Sequence, residues 1–150
     1  MNGFYAPFYK RIKRQSAIMY ISKKDREKVR NMFEGKCAYS GTELLQDWQV
    51  DHVNPLVRNW WTNTVMFENN HKLENMIPSQ KIINQYKHSR DLEQFRDFMQ
   101  DFHVRISNLP KNPITEKSIK RKVRMLEIAK FFNITPEKPF SGKFWFETLN

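Results

Sequence analysis

The sequence contains one cysteine, Cys37, in 150 residues. A single thiol excludes a disulfide within the chain and a zinc site built from several cysteines, and it agrees with an intracellular protein. Long apolar runs are also missing: none approaches the roughly 20 residues of a transmembrane helix, and the N-terminal segment has no apolar stretch of the signal-peptide type. We therefore expect a soluble, cytoplasmic protein without membrane attachment.

Positive charge and aromatic side chains are what the sequence has in excess. Lys and Arg number 26 against 16 Asp and Glu, which gives a formal net charge of +10. The 12 Phe, 5 Tyr and 4 Trp residues are too many for a disordered basic tail. The length suits one compact domain, and the charge favours a polyanionic partner, either nucleic acid or an anionic membrane surface.

The pattern along the chain predicts a single domain over residues 1–150 with a mostly helical α+β fold. Residues 1–20 alternate aromatic and basic side chains, which is typical either of an arm along a nucleic-acid backbone or of an ordinary packed segment. Residues 21–102 form the expected core, which comprises a helix, a hairpin that includes the strand over residues 48–53, and two further helices, with an irregular functional loop over residues 58–74. Residues 103–150 supply a long basic helix and a C-terminal strand or apolar clasp.

Local signals predict where the helices begin and end. Ser22 is a candidate N-cap for the first helix, and Gly35 ends that helix. Pro78 suits the first turn of a helix because its missing N–H costs nothing there, and Thr115 caps the long basic helix. A further helix after Ser89 is predicted from the apolar stripe of Leu92, Phe95, Phe98, Met99 and Phe102.

One constellation of polar residues points to a reaction. Asp51 and His52 are adjacent at the end of the predicted strand, and Asn75 and then Asn84 follow, the latter in a predicted helix. A phosphodiesterase that uses one metal ion needs hard oxygen ligands, which Asp51 and Asn84 can supply. It also needs a general base that stays off the metal, which His52 can supply.

These elements resemble the HNH endonuclease family in the variant whose last motif position is Asn. They are most similar to small single-domain HNH proteins of phages and prophages, and the resemblance covers roughly residues 20–150. It rests on residues 20–26 and 37–39, Asp51-His52, Asn75-x-x-Pro78, Asn84-x-x-Lys87 and residues 144–147.

The resemblance implies a ββα-metal (His-Me finger) core and a hydrolase that cuts DNA to leave 5′-phosphate and 3′-hydroxyl ends. Asp51 and Asn84 would bind one divalent cation, Mg²⁺ or Mn²⁺, and His52 would take a proton from the attacking water. Asn75 would hold the strand of His52 through hydrogen bonds to backbone. Lys87 would contact a phosphate or remain a solvated lysine.

Duplex DNA is the expected partner, because its phosphates account for the net positive charge. The expected nucleic-acid contacts are basic side chains of the core and of the long helix: Arg58, Lys87, Arg90, Lys120, Arg121 and Arg124. RNA and a homodimer stay open. A membrane surface is disfavoured because no helix joins a cationic face to a free bulky apolar face. A bacterial or phage-infected cell is the expected setting.

Many members of this family bind a structural zinc through two Cys-x-x-Cys pairs, and this chain departs from that pattern. The pairs correspond to residues 37–40 and 80–83, where Cys37 is the one thiol that remains. We expect no structural zinc, and we expect Tyr39 and Ile83 to fill its space by apolar packing.

Several other residues carry weaker signals. His71 is predicted to be a solvated loop residue, and His88 a helix-end cap in preference to a third metal ligand. His103 is predicted to be structural. Trp60 and Trp61 favour a local hydrophobic plug over stacking on a base. The alternative function is a non-catalytic DNA-binding module that retains the fold.

Overall fold

The computed structural model describes residues 20–59, 61 and 64–149, and it describes Arg58 through its backbone alone. The arm expected over residues 1–20 lies outside this part of the chain except for Tyr20, and so does Trp60. Within the described part, helices, short strands and 3₁₀ turns alternate along the chain. The fold is therefore α+β.

Two antiparallel strands that are far apart in the sequence form the sheet beside the candidate site. β1 (Gln49–His52) pairs with β4 (Met76–Ser79). The prediction that Pro78 begins a helix is wrong, because Pro78 lies within β4 and α2 (Lys81–Lys87) begins after it. A two-stranded sheet has only edge strands, and an edge strand tolerates a proline that cannot donate a hydrogen bond.

The segment between β1 and β4 is more regular than predicted. β2 (Val57–Asn59) and β3 (Thr64–Met66) pair in a separate antiparallel hairpin. Two 3₁₀ turns follow, at Glu68–Asn70 and Leu73–Asn75. These elements stand where the sequence predicts an irregular loop over residues 58–74.

Two N-caps predicted from the sequence are confirmed. The Ser22 side chain accepts a backbone hydrogen bond in the first turn of α1 (Lys23–Asn31). Thr115 does the same for α5 (Glu116–Phe131). In both cases a short side-chain oxygen satisfies an N–H that has no partner within the helix.

The apolar stripe that predicts one helix after Ser89 forms two. α3 (Leu92–Gln100) has Asp91 as its N-cap, with a capping box between Asp91 and Gln94, and α4 (Phe102–Ser107) follows after a one-residue break. The boundary expected between residues 102 and 103 therefore cuts through α4. Residues on both sides of that boundary contribute to the same hydrophobic core.

Aromatic rings hold the C-terminal segment against the centre of this core. The Phe144 ring stacks on the Phe95 ring with centroids 5.2 Å apart, and the Tyr39 ring meets Phe144 edge-on at 5.1 Å. The backbone N–H of Trp145 donates to the Tyr39 carbonyl at 2.9 Å. The tail, which ends in a 3₁₀ turn at Trp145–Thr148, is therefore a clasp and not a strand.

No helix in the described residues is long and apolar enough to cross a membrane.

Candidate active site

A cleft of about 190 Å³ brings the polar constellation together. Asp51 and His52 reach it from the end of β1, and Asn84 and His88 reach it from α2 and the residue that follows. The segment of Pro55 and Leu56, which leads into β2, closes another side. Residues that the sequence groups only by order in a motif are thus neighbours in space.

Asp51 is the buried acid of this cleft, with 5% of its surface exposed. Its carboxylate accepts a hydrogen bond from the Tyr39 hydroxyl, and Oδ2 lies 3.2 Å from Nζ of Lys87. Burial raises the pKa of Asp51 above its usual range, while the Lys87 charge opposes that rise. The same burial, next to the Asp51 charge, raises the pKa of Tyr39 well above its ordinary value, so Tyr39 remains a hydrogen-bond donor.

Lys87 is not placed as either sequence prediction requires. Its side chain is completely buried, and Nζ donates to the backbone carbonyl of His52 at 2.8 Å as well as to Asp51. A lysine with this environment cannot contact a phosphate without leaving both partners. The expected phosphate contact at Lys87 is therefore wrong in this arrangement, and so is the alternative of a solvated lysine.

His52 faces a second imidazole, and this neighbour is one that sequence reasoning missed. Nε2 of His52 lies 3.2 Å from Nδ1 of His71, with ring centroids 5.3 Å apart. Desolvation by burial, together with the nearby charges of His71 and Lys87, lowers the pKa of His52 to about 4. His52 is therefore a neutral imidazole near neutral pH, which is the state that can accept a proton.

Asn75 makes the backbone hydrogen bonds expected of it from the sequence. Its Oδ1 accepts from the N–H of Asn54 at 2.9 Å, and its Nδ2 donates to the carbonyls of Asn54 and Asn70, each at 2.8 Å. The side chain is buried, so all three bonds form away from competing water. Asn75 thereby ties the segment after His52 to the loop that carries His71.

Asn84 and His88 occupy the α2 side of the cleft. The Asn84 amide donates through Nδ2 to Oε1 of Gln49 at 2.9 Å, which leaves Oδ1 as its acceptor atom. Within the described part of the chain, no group donates a hydrogen bond to that oxygen. His88 is the C-cap of α2, as predicted, with its N–H bonded to the Asn84 carbonyl at 2.9 Å, and its side chain also lines the cleft.

The oxygens of Asp51 and Asn84 have the chemistry that a hard divalent cation prefers. A carboxylate has about four lone-pair sites, so its bonds with Tyr39, Lys87 and the His52 backbone leave Asp51 with some acceptor capacity. The described residues contain no cluster of three or more His, Cys, Asp or Glu side chains that could hold a metal ion. The amide oxygen of Asn84 is not among those ligand types, so Asp51 and Asn84 together would offer a cation two protein ligands. Two ligands suit a cation such as Mg²⁺, which usually keeps several of its waters.

The other basic residues expected to bind nucleic acid lie in different settings. Arg90 donates to the last carbonyls of α2, at 3.2 Å from that of Lys87, and its guanidinium lies over the Phe98 ring. Lys120 is paired with Glu116 at 2.5 Å. Arg124 reaches Gln85 at 3.5 Å and Arg121 lines a separate pocket on α5. The Arg58 side chain lies outside the described part.

Gln80 occupies the first position of the second Cys-x-x-Cys pair to which the sequence resemblance would assign zinc ligands. It is 1% exposed, and its amide donates to Thr42 at 3.1 Å and to the Glu43 carbonyl at 2.7 Å, while accepting from the N–H of Leu45. Its own backbone N–H points at the Cys37 sulfur, 3.4 Å away. Tyr39 and Ile83 are buried here as expected. The connection between residues 37–45 and Gln80, however, is made by polar groups, which the sequence did not predict.

Comparisons with protein-family models, with curated proteins and with solved structures found no match for this chain.

Proposed function

We propose that the chain is a metal-dependent endonuclease that hydrolyses phosphodiester bonds of DNA, with a ββα-metal core formed by β1, β4 and α2. The observation that carries the proposal is the shared cleft, which His52, a neutral imidazole near neutral pH, lines together with Asp51 and Asn84. A neutral imidazole next to two hard oxygen ligands is the combination that metal-assisted hydrolysis requires.

The residues that would hold the cation are Asp51 and Asn84, and the cation would be Mg²⁺ or Mn²⁺. When bound, it supplies positive charge to the phosphate and to the oxygen that leaves. Lys87 makes this site weaker for cations than a free carboxylate would be, because its ammonium lies 3.2 Å from the same carboxylate. We therefore expect activity to require a cation in considerable excess over the protein.

The protein's own groups provide the remaining steps. His52 takes the proton of the attacking water through Nδ1, the ring nitrogen that is not bonded to His71. Lys87 keeps the strand end in place by holding the His52 carbonyl and the Asp51 carboxylate together. Asn75 fixes the backbone on the other side of His52. The base is therefore held on both sides before substrate arrives, which lowers the cost of orienting it.

Plasmid relaxation with Mg²⁺ tests the proposal directly. We expect His52→Ala to lower the cleavage rate by at least about 100-fold, since a positioned general base contributes that much or more. Asn84→Ala should reduce both the cleavage rate and the affinity for Mn²⁺. His103→Ala is the matched control, because that histidine bonds the Gln100 carbonyl on the α3–α4 side of the molecule.

Equal cleavage by the wild type and His52→Ala would show that the base is wrongly assigned. Binding of DNA in EDTA, with no cleavage by any variant when Mg²⁺ is added, would instead support the non-catalytic DNA-binding module.

A further inference from the structure

Among the described residues, His71 is the titratable side chain in contact with His52 that the proposed mechanism leaves without a role. It follows the 3₁₀ turn at Glu68–Asn70, and its ring is tilted by 31° from that of His52. The separation of 3.2 Å between Nε2 of His52 and Nδ1 of His71 is a hydrogen-bond distance.

The loop that carries His71 is tied to the loop that follows His52. Asn70 donates through its side chain to the Pro55 carbonyl at 3.2 Å, and its own carbonyl accepts from Asn75 at 2.8 Å. The His71 N–H closes the turn on the Glu68 carbonyl at 2.9 Å. The first two bonds tie the turn to the chain around the strand end, and the third holds His71 within the turn, so the contact between the two rings does not depend on the rings alone.

The contact has only two neutral arrangements of its hydrogen. If His52 donates, its hydrogen is on Nε2 and its Nδ1 keeps a free lone pair. If His71 donates, the hydrogen of His52 is on Nδ1 and neither nitrogen of His52 is free to accept a proton. A neutral imidazole has one donor and one acceptor nitrogen, so a general base at His52 requires the first arrangement.

We propose that His71 is a positioning residue, which accepts the Nε2 hydrogen of His52 through Nδ1 and so holds Nδ1 of His52 as the free base. This inference rests on the proposed function of His52. Once His52 has taken a proton, its Nε2–H still donates to His71, and the bond becomes a charge-assisted one that stabilises the imidazolium. The role corresponds to that of a carboxylate or carbonyl that orients a catalytic histidine, filled here by a second imidazole.

Nitrogen-15 NMR of the full chain in EDTA tests the tautomer without any reaction. At about pH 8, where an ordinary imidazole is neutral, we expect wild-type His52 to carry its hydrogen on Nε2 alone. His71→Ala should give a mixture of both tautomers at His52. His71→Asn should restore the Nε2 form, since its Oδ1 is two bonds from Cβ, as Nδ1 is in histidine, and can accept the same hydrogen. His103→Ala should leave the His52 signals unchanged.

Cleavage assays provide the second measurement. His71→Ala should lower kcat by roughly 10- to 100-fold with little change in KM, because the base is present but not oriented. His71→Asn should recover most of that loss, which a purely structural role for the ring would not predict.

A hydrogen on Nδ1 of His52 in the wild type, or the same tautomer mixture in the wild type and in His71→Ala, would overturn the inference even if His52→Ala is inactive. Conversely, a fixed Nε2 tautomer that is lost in His71→Ala, found together with full activity of His52→Ala, would sustain the contact and remove its proposed catalytic purpose. The two proposals therefore fail by different results.

Discussion

Lys87 brings a positive charge into the interior, where an unpaired ion would cost several kcal/mol. The cost is offset because its three donor hydrogens face two acceptors, the Asp51 carboxylate and the His52 carbonyl. Asp51 in turn is shared with the Tyr39 hydroxyl. At the scale of single residues, the site is a small network of buried polar groups in which each member depends on its partners.

Removal of one member of this network should therefore lower the free energy of unfolding much more than removal of a surface charge. We expect Lys87→Met to lower the free energy of unfolding by about 3 to 5 kcal/mol, since Asp51 is then buried without its counter-ion. Lys81→Met is the matched control, because Lys81 pairs with Asp47 at the surface, where both side chains are about half exposed, and it should change stability by about 0 to 1 kcal/mol. Urea unfolding monitored by circular dichroism measures both. A loss for Lys87→Met no larger than that of the control would contradict this account of the network.

At the scale of elements, the turn at Gly41 and the C-terminal clasp depend on each other. Gly41 has φ of +71°, in the left-handed region that favours glycine, and a Cβ added there would lie 2.6 Å from the Trp145 ring. The clasp is held from the other side by Arg96, which bonds Glu147 at 2.6 Å. Arg96 lowers the pKa of the Glu147 carboxyl, so this ion pair persists at mildly acidic pH.

Gly41→Ala tests whether the turn and the clasp depend on each other. We expect it to lower the free energy of unfolding by roughly 2 kcal/mol or more, from backbone strain and from overpacking against Trp145. Gly35→Ala is the control, since Gly35 has a similar φ of +77° but its added Cβ would meet only the end of the Arg30 side chain at 4.0 Å. Gly35→Ala should lower the free energy of unfolding by the backbone strain alone, about 1 to 2 kcal/mol. Thermal unfolding with tryptophan fluorescence distinguishes the two, and equal losses would mean that Trp145 moves aside at little cost.

At the scale of the whole molecule, some of the positively charged side chains form ion pairs with acids and others do not. Several lysines and arginines are matched by acids, among them Lys28 with Asp25 and Lys120 with Glu116. Arg124 has no carboxylate partner among the described residues, and it reaches Gln85, the residue that follows Asn84 in α2. Under the proposed function, we therefore expect Arg124 to be a basic residue of α5 that contacts DNA.

The salt dependence of DNA binding in EDTA measures that contact. Each phosphate that a protein neutralises adds about 0.9 to the slope of log affinity against log salt concentration. We expect Arg124→Ala to reduce the slope by about 1, whereas Lys28→Ala, which removes a charge already paired with Asp25, should leave it nearly unchanged. An unchanged slope for Arg124→Ala would place the DNA elsewhere on the surface.

The sequence predicted elements whose signals are local and missed those that depend on distant partners. Thr115 identifies its helix because an N-cap acts within one turn. Pro78 suggests a helix start by the same local logic, but pairing between β1 and β4 overrides it. The grouping of Asp51, His52 and Asn84 was predicted because the sequence resembles a motif whose order carries long-range information.

No comparable signal exists for His71 or for the burial of Lys87. A loop histidine and a lysine at a helix end look like solvated residues in any local window. Their positions are set by amide and carbonyl groups of Asn70, Asn75 and His52, and these bonds exist only after the chain has folded. Buried polar networks are therefore the part of the site that requires a structure.

The buried amide of Gln80 has a consequence for how the molecule responds to its surroundings. It joins its own segment to residues 42–45 through bonds among neutral groups, and none of these bonds involves an ion. Chelation of divalent cations would thus leave this connection intact. For the nuclease proposed above, we therefore expect cation supply to control cleavage while the fold stays intact, so that the protein can remain bound to DNA without cutting it until Mg²⁺ arrives.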